Sequence, residues 1–266
     1  MNPTTRRSRA LPWLAAAALI LGTRPAPAGP DSSAETAGRA LVQRVLAMVP
    51  TEARTNQGTF VTRPPRGAGL PIELPVLIAL YPTAQGWSSL YEAGPSREGR
   101  RLRLWIERFP DSPPRYFLAE AGPGESLPAA GQAVPVEALM EPFAGTDFWL
   151  ADLGMHFLYW PQQRLIRSEM RRGQFCDVLE SEDPTGPATG YQRVRAWFDR
   201  DTGGLVYAEA QDRQGRVVKE FLPRVFRKIE GRWEVIELEM IHRRTGSRTR
   251  LILQPSGQAP EKSTFP

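Results

Sequence analysis

Two histidines, one cysteine and a few clustered aspartates are the side chains of this 266-residue sequence with the types to do chemistry. His156 and His242 could hold a metal only if a carboxylate joined them, and they lie far apart, in an aromatic strand and at the end of another strand. Asp147 and Asp152 have the types for an acid/base pair, but each has a backbone role to account for it. Asp147 follows Gly145-Thr146 in a turn, and Asp152 is placed to cap the next one. Asp199, Asp201 and Asp212 fall in hairpin loops. Asp199-Arg-Asp-Thr-Gly lacks the later ligands and flanking helices of a calcium loop. Cys176, in the strand-like run Gln174 to Leu179, reads as a small buried hydrophobe rather than a nucleophile. No H-E-x-x-H, C-x-x-C, G-x-S-x-G or Gly-rich phosphate loop occurs. The expectation is a protein without catalytic residues, metal ligands or cofactor.

What the sequence offers is apolar surface. Seven tryptophans, eleven phenylalanines and six methionines sit in a chain built mostly of half-buried strands. Small-molecule pockets are concave, mainly apolar and sparsely polar. An acyl chain needs little else, since each buried CH₂ contributes about 0.8 kcal/mol. The inward positions of the strands give a candidate acyl-chain cavity: Phe148, Phe198, Ala208, Phe221, Leu238 and Met240, with Trp149 and Trp160 at its rim.

The elements that must position these residues are strands. From Tyr191 to Leu253 the sequence reads as six of them. In Tyr191 to Phe198, Val194, Ala196 and Phe198 fall on one face and Arg193 and Arg195 on the other. The runs 205–210, 217–222, 225–229, 233–242 and 248–253 follow, separated by turn residues such as Asp199 to Gly204 and Asp212 to Gly215. With no helix-length gap between them, neighbours pair antiparallel, and the alternation buries one face. Upstream, Ala34 to Met48 has helical periodicity, with Ala37, Leu41, Val45 and Met48 on one face, and Pro50 ends it. Gly58 to Arg63 is a short strand. Ile72 to Tyr81, interrupted by prolines, reads as a kinked edge strand. Trp87 to Glu92, Arg101 to Phe109 and Arg115 to Glu120 are further strands, and Pro135 to Met140 is a turn or two of helix. Arg164 to Arg171 and Gln174 to Glu180 form a hairpin joined at Arg172-Gly173. The predicted fold is mainly β: two halves of one curved antiparallel sheet, split near 121–134, with a few helices covering its apolar face.

Arg6, Arg7 and Arg9, the apolar run Leu11 to Leu21 and Ala26-Pro27-Ala28 together read as a secretory signal peptide over residues 1–28. An uncleaved anchor and twin-arginine export are the alternatives. That segment holds four arginines and no acid, so the mature chain keeps only +1 of the formal +5, which gives no case for nucleic acid. A single cysteine permits no intrachain disulfide. The expected organisation is one domain over residues 29–254 and a polar tail over 255–266.

The residues in the second half resemble a known family. Phe143-Ala-Gly-Thr-Asp-Phe-Trp-Leu-Ala-Asp-Leu153, Gly173-Gln-Phe-Cys-Asp-Val-Leu-Glu180 and Tyr191-Gln-Arg-Val-Arg-Ala-Trp197 follow in order. Asp212 to Lys219, Glu230-Gly-Arg-Trp233 and Met240 to Thr249 complete the series. Together they resemble the outer-membrane lipoprotein-sorting family (LolA-like). The resemblance implies an incomplete, half-open β-barrel whose mouth is closed by helices around an apolar cavity. It implies a periplasmic carrier that sequesters acyl chains for transfer towards the outer membrane. The implied partners are acyl chains of lipoproteins or other lipids, with inner- and outer-membrane sorting components as further candidates. An envelope-stress sensor of the same fold and a non-carrier envelope assembly factor are the alternatives.

Overall fold

The structure is a computed structural model that describes residues 30–254 apart from 111, 187–189, 230 and 231. The expected signal peptide and polar tail lie outside the described residues. Helix α1 (Pro30–Leu46) precedes five strands: β1 (Arg54–Arg63), β2 (Ile72–Thr83), β3 (Gly86–Ala93), β4 (Arg101–Phe109) and β5 (Ser112–Ala121). A two-residue strand β6 (Gln132–Ala133) follows. Three 3₁₀ turns (Val136–Met140, Phe143–Gly145, His156–Tyr159) and a single helical turn α2 (Leu150–Leu153) come next. The chain then forms β7 (Gln162–Arg171), β8 (Gln174–Glu182), β9 (Arg193–Asp199), β10 (Leu205–Gln211), β11 (Val217–Ile229), β12 (Arg232–His242) and β13 (Ser247–Leu253).

All thirteen strands form one curved antiparallel sheet, in the order β6-β5-β4-β3-β2-β1-β13-β12-β11-β10-β9-β8-β7. Every join but one links strands adjacent in sequence. The exception is β1 on β13, with Gly58 opposite Leu253 and Arg63 opposite Arg248, which sews the two halves together. The order has a topological consequence. β6 and β7 are the two opposite edges, so residues 134–161 must travel from one edge of the sheet to the other. That crossing segment carries the 3₁₀ turns and α2, and it lies over the apolar face as a plug. Phe143, Phe148, Trp149, Leu150, Ala151, Leu153, Phe157, Leu158 and Trp160 are all buried in the one large core.

The predicted alternation is seen in β9. Val194, Ala196 and Phe198 enter the large core, while Arg193 and Arg195 pair with Glu182 and Glu180 on the other side at 3.0 and 2.8 Å. That other side also holds a small second cluster, Cys176, Val178, Trp197, Val206 and Tyr207. The Arg171 guanidinium lies over its Tyr207 ring at 4.0 Å. Cys176 is fully buried there. The β7–β8 hairpin turns at Arg172 and Gly173, both left-handed at φ 52° and 81°, the geometry of a two-residue type I′ turn. Helix α1 packs on β7 and contributes Leu41, Val42 and Val45 to the core; Met48, placed on that face by sequence, falls past the helix end and is exposed. Gly38 permits the contact, because a Cβ there would stand 2.5 Å from the Gln163 carbonyl oxygen.

Three expectations are corrected. β2 is an interior strand between β1 and β3, not an edge. Pro71 precedes it, Pro75 sits one residue before its ladder with β3 begins at Val76, and Pro82 is at the hairpin end, so the missing donors fall at ladder ends. The runs 217–222 and 225–229 are one strand, giving five strands rather than six between Tyr191 and Leu253. Register shifts at Pro223/Val225 and Val225/Phe226 absorb the proline. The aromatic run at Met155 to Trp160 is a 3₁₀ turn rather than a strand, entered through a left-handed Met155 at φ 48°.

Candidate functional site

The plug is held on the sheet by aromatic packing and by a few polar contacts at defined points. Phe60, at the centre of β1, is flanked by Phe148 and Phe143 with ring centroids 5.6 and 6.3 Å away. Asp147 does more than close a turn. Its carboxylate accepts from Ser247 Oγ at 2.5 Å and Thr249 Oγ1 at 2.8 Å, and its N–H donates to Thr249 Oγ1 at 2.9 Å, so the plug is tied to β13.

The strongest ties converge on α2. Asp152 accepts from the Trp149 N–H at 2.7 Å, the capping role expected from sequence. The same carboxylate accepts from the Tyr191 hydroxyl at 2.6 Å and from the Lys219 ammonium of β11. Lys219 is only 1% exposed, and its ammonium also lies 4.1 Å over the Trp149 ring. Trp149 in turn stacks on Tyr191, centroids 5.5 Å apart and rings 11° from parallel. Burial pulls the Lys219 ammonium below its ordinary value, against the opposing pull of Asp152. Burial, reinforced by Asp152, pushes the Tyr191 hydroxyl well up, which keeps it a donor. One residue on, the Leu153 carbonyl accepts from buried Arg108 of β4 at 2.9 Å and from the Tyr91 hydroxyl at 3.4 Å. Arg108 also donates to Ser89 at 2.7 Å and lies over the Trp87 ring at 4.0 Å. Two cations, one from each half of the sheet, therefore clamp adjacent residues of α2.

Beside the Lys219–Asp152 pair lies an apolar cavity of about 80 Å³, walled by Met155, Phe157, Val194, Ala208, Phe221 and Met240, with Asp152, Lys219 and Tyr191 also lining it. Of the residues proposed from sequence, Ala208, Phe221 and Met240 line this space. Phe148 and Phe198 are buried elsewhere in the same core, and Leu238 packs against it. Trp149 and Trp160, expected at a rim, are each 6% exposed and sit beneath the surface. Trp149 is buried because it is the roof of the ion pair. Sequence reasoning missed Lys219 and Arg108. The available signal was a lysine on the same strand face as Phe221.

The histidines are apart. His156 lies 3.4 Å from the Tyr116 hydroxyl, and His242 packs its ring on Trp149 at 5.8 Å. Among the described residues no group of three His, Cys, Asp or Glu side chains could hold a metal ion. The arrangement is a buried ion pair beside an apolar space under a fastened plug.

A family model described only as "Uncharacterized protein" matches residues 127–256. No curated protein matches the chain. Among solved structures, the chain is similar to a putative outer-membrane lipoprotein-sorting protein domain from Vibrio parahaemolyticus. That likeness has TM-score 0.68 and 18% identity, and covers 87% of this chain and 97% of that one. A DUF1329 family protein from Desulfovibrio piger gives TM-score 0.67 and 20% identity over 86% and 95% of the two chains. A LolA superfamily protein from Nitrosomonas europaea gives 0.58 and 14% over 84% and 95%. The resemblance read in residues 140–254 thus extends, at the level of architecture, to the N-terminal half, and the chain has the LolA-like fold.

Proposed function

We propose that the protein is a periplasmic carrier that shelters acyl chains of lipids or lipoproteins against its curved sheet, and that the plug is the part which gives way. The observation that carries this reading is the plug itself. A mainly apolar sheet face is covered by a segment fastened to sheet side chains at Asp147, Asp152 and Leu153 rather than by a β-ladder. The cavity of about 80 Å³ is well below the roughly 300–1,000 Å³ of ligand pockets. A guest chain therefore takes the place now held by plug side chains such as Phe157 and Met155. Binding is non-catalytic and needs no cofactor. Transfer towards the outer membrane, through sorting components of either membrane, is the role this reading assigns.

The small cavity also favours a second reading, in which the sheet is filled by its own plug and the protein acts through its surface as an envelope assembly factor. The two separate in one titration. An environment-sensitive hydrophobic fluorophore should bind the purified protein and be displaced by a diacyl lipid. Absence of displacement at any lipid concentration would reject the carrier and leave the filled-sheet reading.

A further inference from the structure

The end of the sheet where β1 turns into β2 and β12 turns into β13 is unlike the rest of the surface. The loop after β1, residues 64–71, faces the turn after β12, residues 243–246, across a cleft of about 600 Å³. Arg63, Arg66, Arg243 and Arg248 line the cleft, and Arg244 is exposed on the same turn. Segments 63–73 and 242–248 carry five arginines and one carboxylate, Glu73. Among the described residues only Arg243 of the five has an ion-pair partner, Glu220. The nearby Asp147 is buried and committed to Ser247 and Thr249.

Charge alone would suit any polyanion, but the same loop presents Leu70, 79% exposed, followed by Ile72 at the start of β2, 49% exposed, with Ala68 and Pro71 also exposed. Leu70 is the most exposed large hydrophobic residue of the described chain. Apolar tips beside unpaired arginines are what an anionic bilayer accepts: the tip enters the headgroup boundary while the guanidinium groups meet lipid phosphates. We infer that this end of the sheet is a docking surface for anionic phospholipid membranes. It points the clamp towards the bilayer, since His242, which lines the cleft, is cross-strand partner to Lys219 and packs on Trp149. The inference does not depend on the cargo.

The test is sedimentation of the purified protein with vesicles of phosphatidylglycerol and phosphatidylcholine, against vesicles of phosphatidylcholine alone. The protein should follow the anionic vesicles and be released by salt, because surface attraction is screened. Each arginine at the surface contributes about fivefold in affinity, so Arg66→Glu/Arg248→Glu should lose on the order of a hundredfold or more. Leu70→Ser should lose about tenfold. Arg97→Glu/Arg227→Glu, which changes net charge equally at exposed sites elsewhere, should lose far less. Inorganic phosphate at matched ionic strength should not compete. Equal loss in both double variants, or no preference for anionic vesicles, overturns the assignment. If Leu70→Ser binds normally, or inorganic phosphate competes, the surface takes anions in general and membrane docking is wrong. Retained fluorophore binding by Arg66→Glu/Arg248→Glu separates loss of docking from loss of the cavity.

Discussion

Lys219→Met is the most informative perturbation of the clamp. Methionine matches the lysine stem in length but removes the charge, leaving Asp152 with only the Trp149 N–H and the Tyr191 hydroxyl. Lys219 is 1% and Asp152 11% exposed, so little solvent reaches the pair to screen the charge left behind. Breaking a buried pair by removing one partner costs about 3–5 kcal/mol. With a urea dependence on the order of 3 kcal/mol per molar, the unfolding midpoint should fall by about 1 M or more. Lys219→Met/Asp152→Asn removes both charges while the amide oxygen still accepts from Trp149. It should lose only about 1–2 kcal/mol, the scale of a hydrogen bond or two. The double variant should therefore be more stable than the single one, by about 2 kcal/mol. Urea unfolding followed by far-UV circular dichroism measures all three proteins. A loss below about 1 kcal/mol for Lys219→Met, or a double variant no better than the single, would refute the reading of this pair as a clamp. If the plug must lift for a guest, the double variant should also take up fluorophore more readily than wild type.

Two further outcomes follow from the same region. Met240→Ala, at a wall of the cavity, should cost about 2–4 kcal/mol in denaturant melts yet tighten fluorophore binding, because it enlarges the space it destabilises. The His242 imidazole is held below its ordinary value of 6.5, first by burial and then by Lys219, and its Nδ1 accepts from the Thr245 N–H at 3.2 Å. The unfolded chain therefore gains a proton there before the folded one does. Stability from this site is complete above pH 6.5 and declines as pH falls below it, so His242→Gln should flatten that acid limb in melts across pH.

The sheet was legible in the sequence because alternation is local. Tyr191 to Phe198 and Arg101 to Phe109 each declare their buried side within a few residues. Arg172-Gly173 declared its hairpin for the same reason. The errors in the strands came from proline. Pro223 divides β11 in sequence but only bulges it in space, and the prolines around β2 sit at ladder ends where no donor is missed. The clamp was not legible because nothing local joins its members. Asp152 and Lys219 are 67 residues apart and Arg108 and Leu153 are 45 apart. Each looks ordinary alone: an aspartate at a turn, a lysine and an arginine in strands. Trp149 was expected at a rim, and the route of the plug from edge to edge explains its burial.

The pairing of β1 with β13 also dictates when the protein can be finished. Gly58 waits for Leu253, almost the whole described length away, so the last of the described strands is the one that joins the halves. Contacts of such sequence separation slow folding, because the chain closes a long loop before it gains from the contact. Until then β1 and β12 both expose bare hydrogen-bonding edges, the sites at which chains associate wrongly. The plug is subject to the same delay, since Ser247 and Thr249, which anchor Asp147, arrive with that final strand. A nascent chain stopped short of Ser247 would have a plug without its Asp147 anchor as well as two open edges. It would be a substrate for chaperones and proteases rather than a smaller working protein.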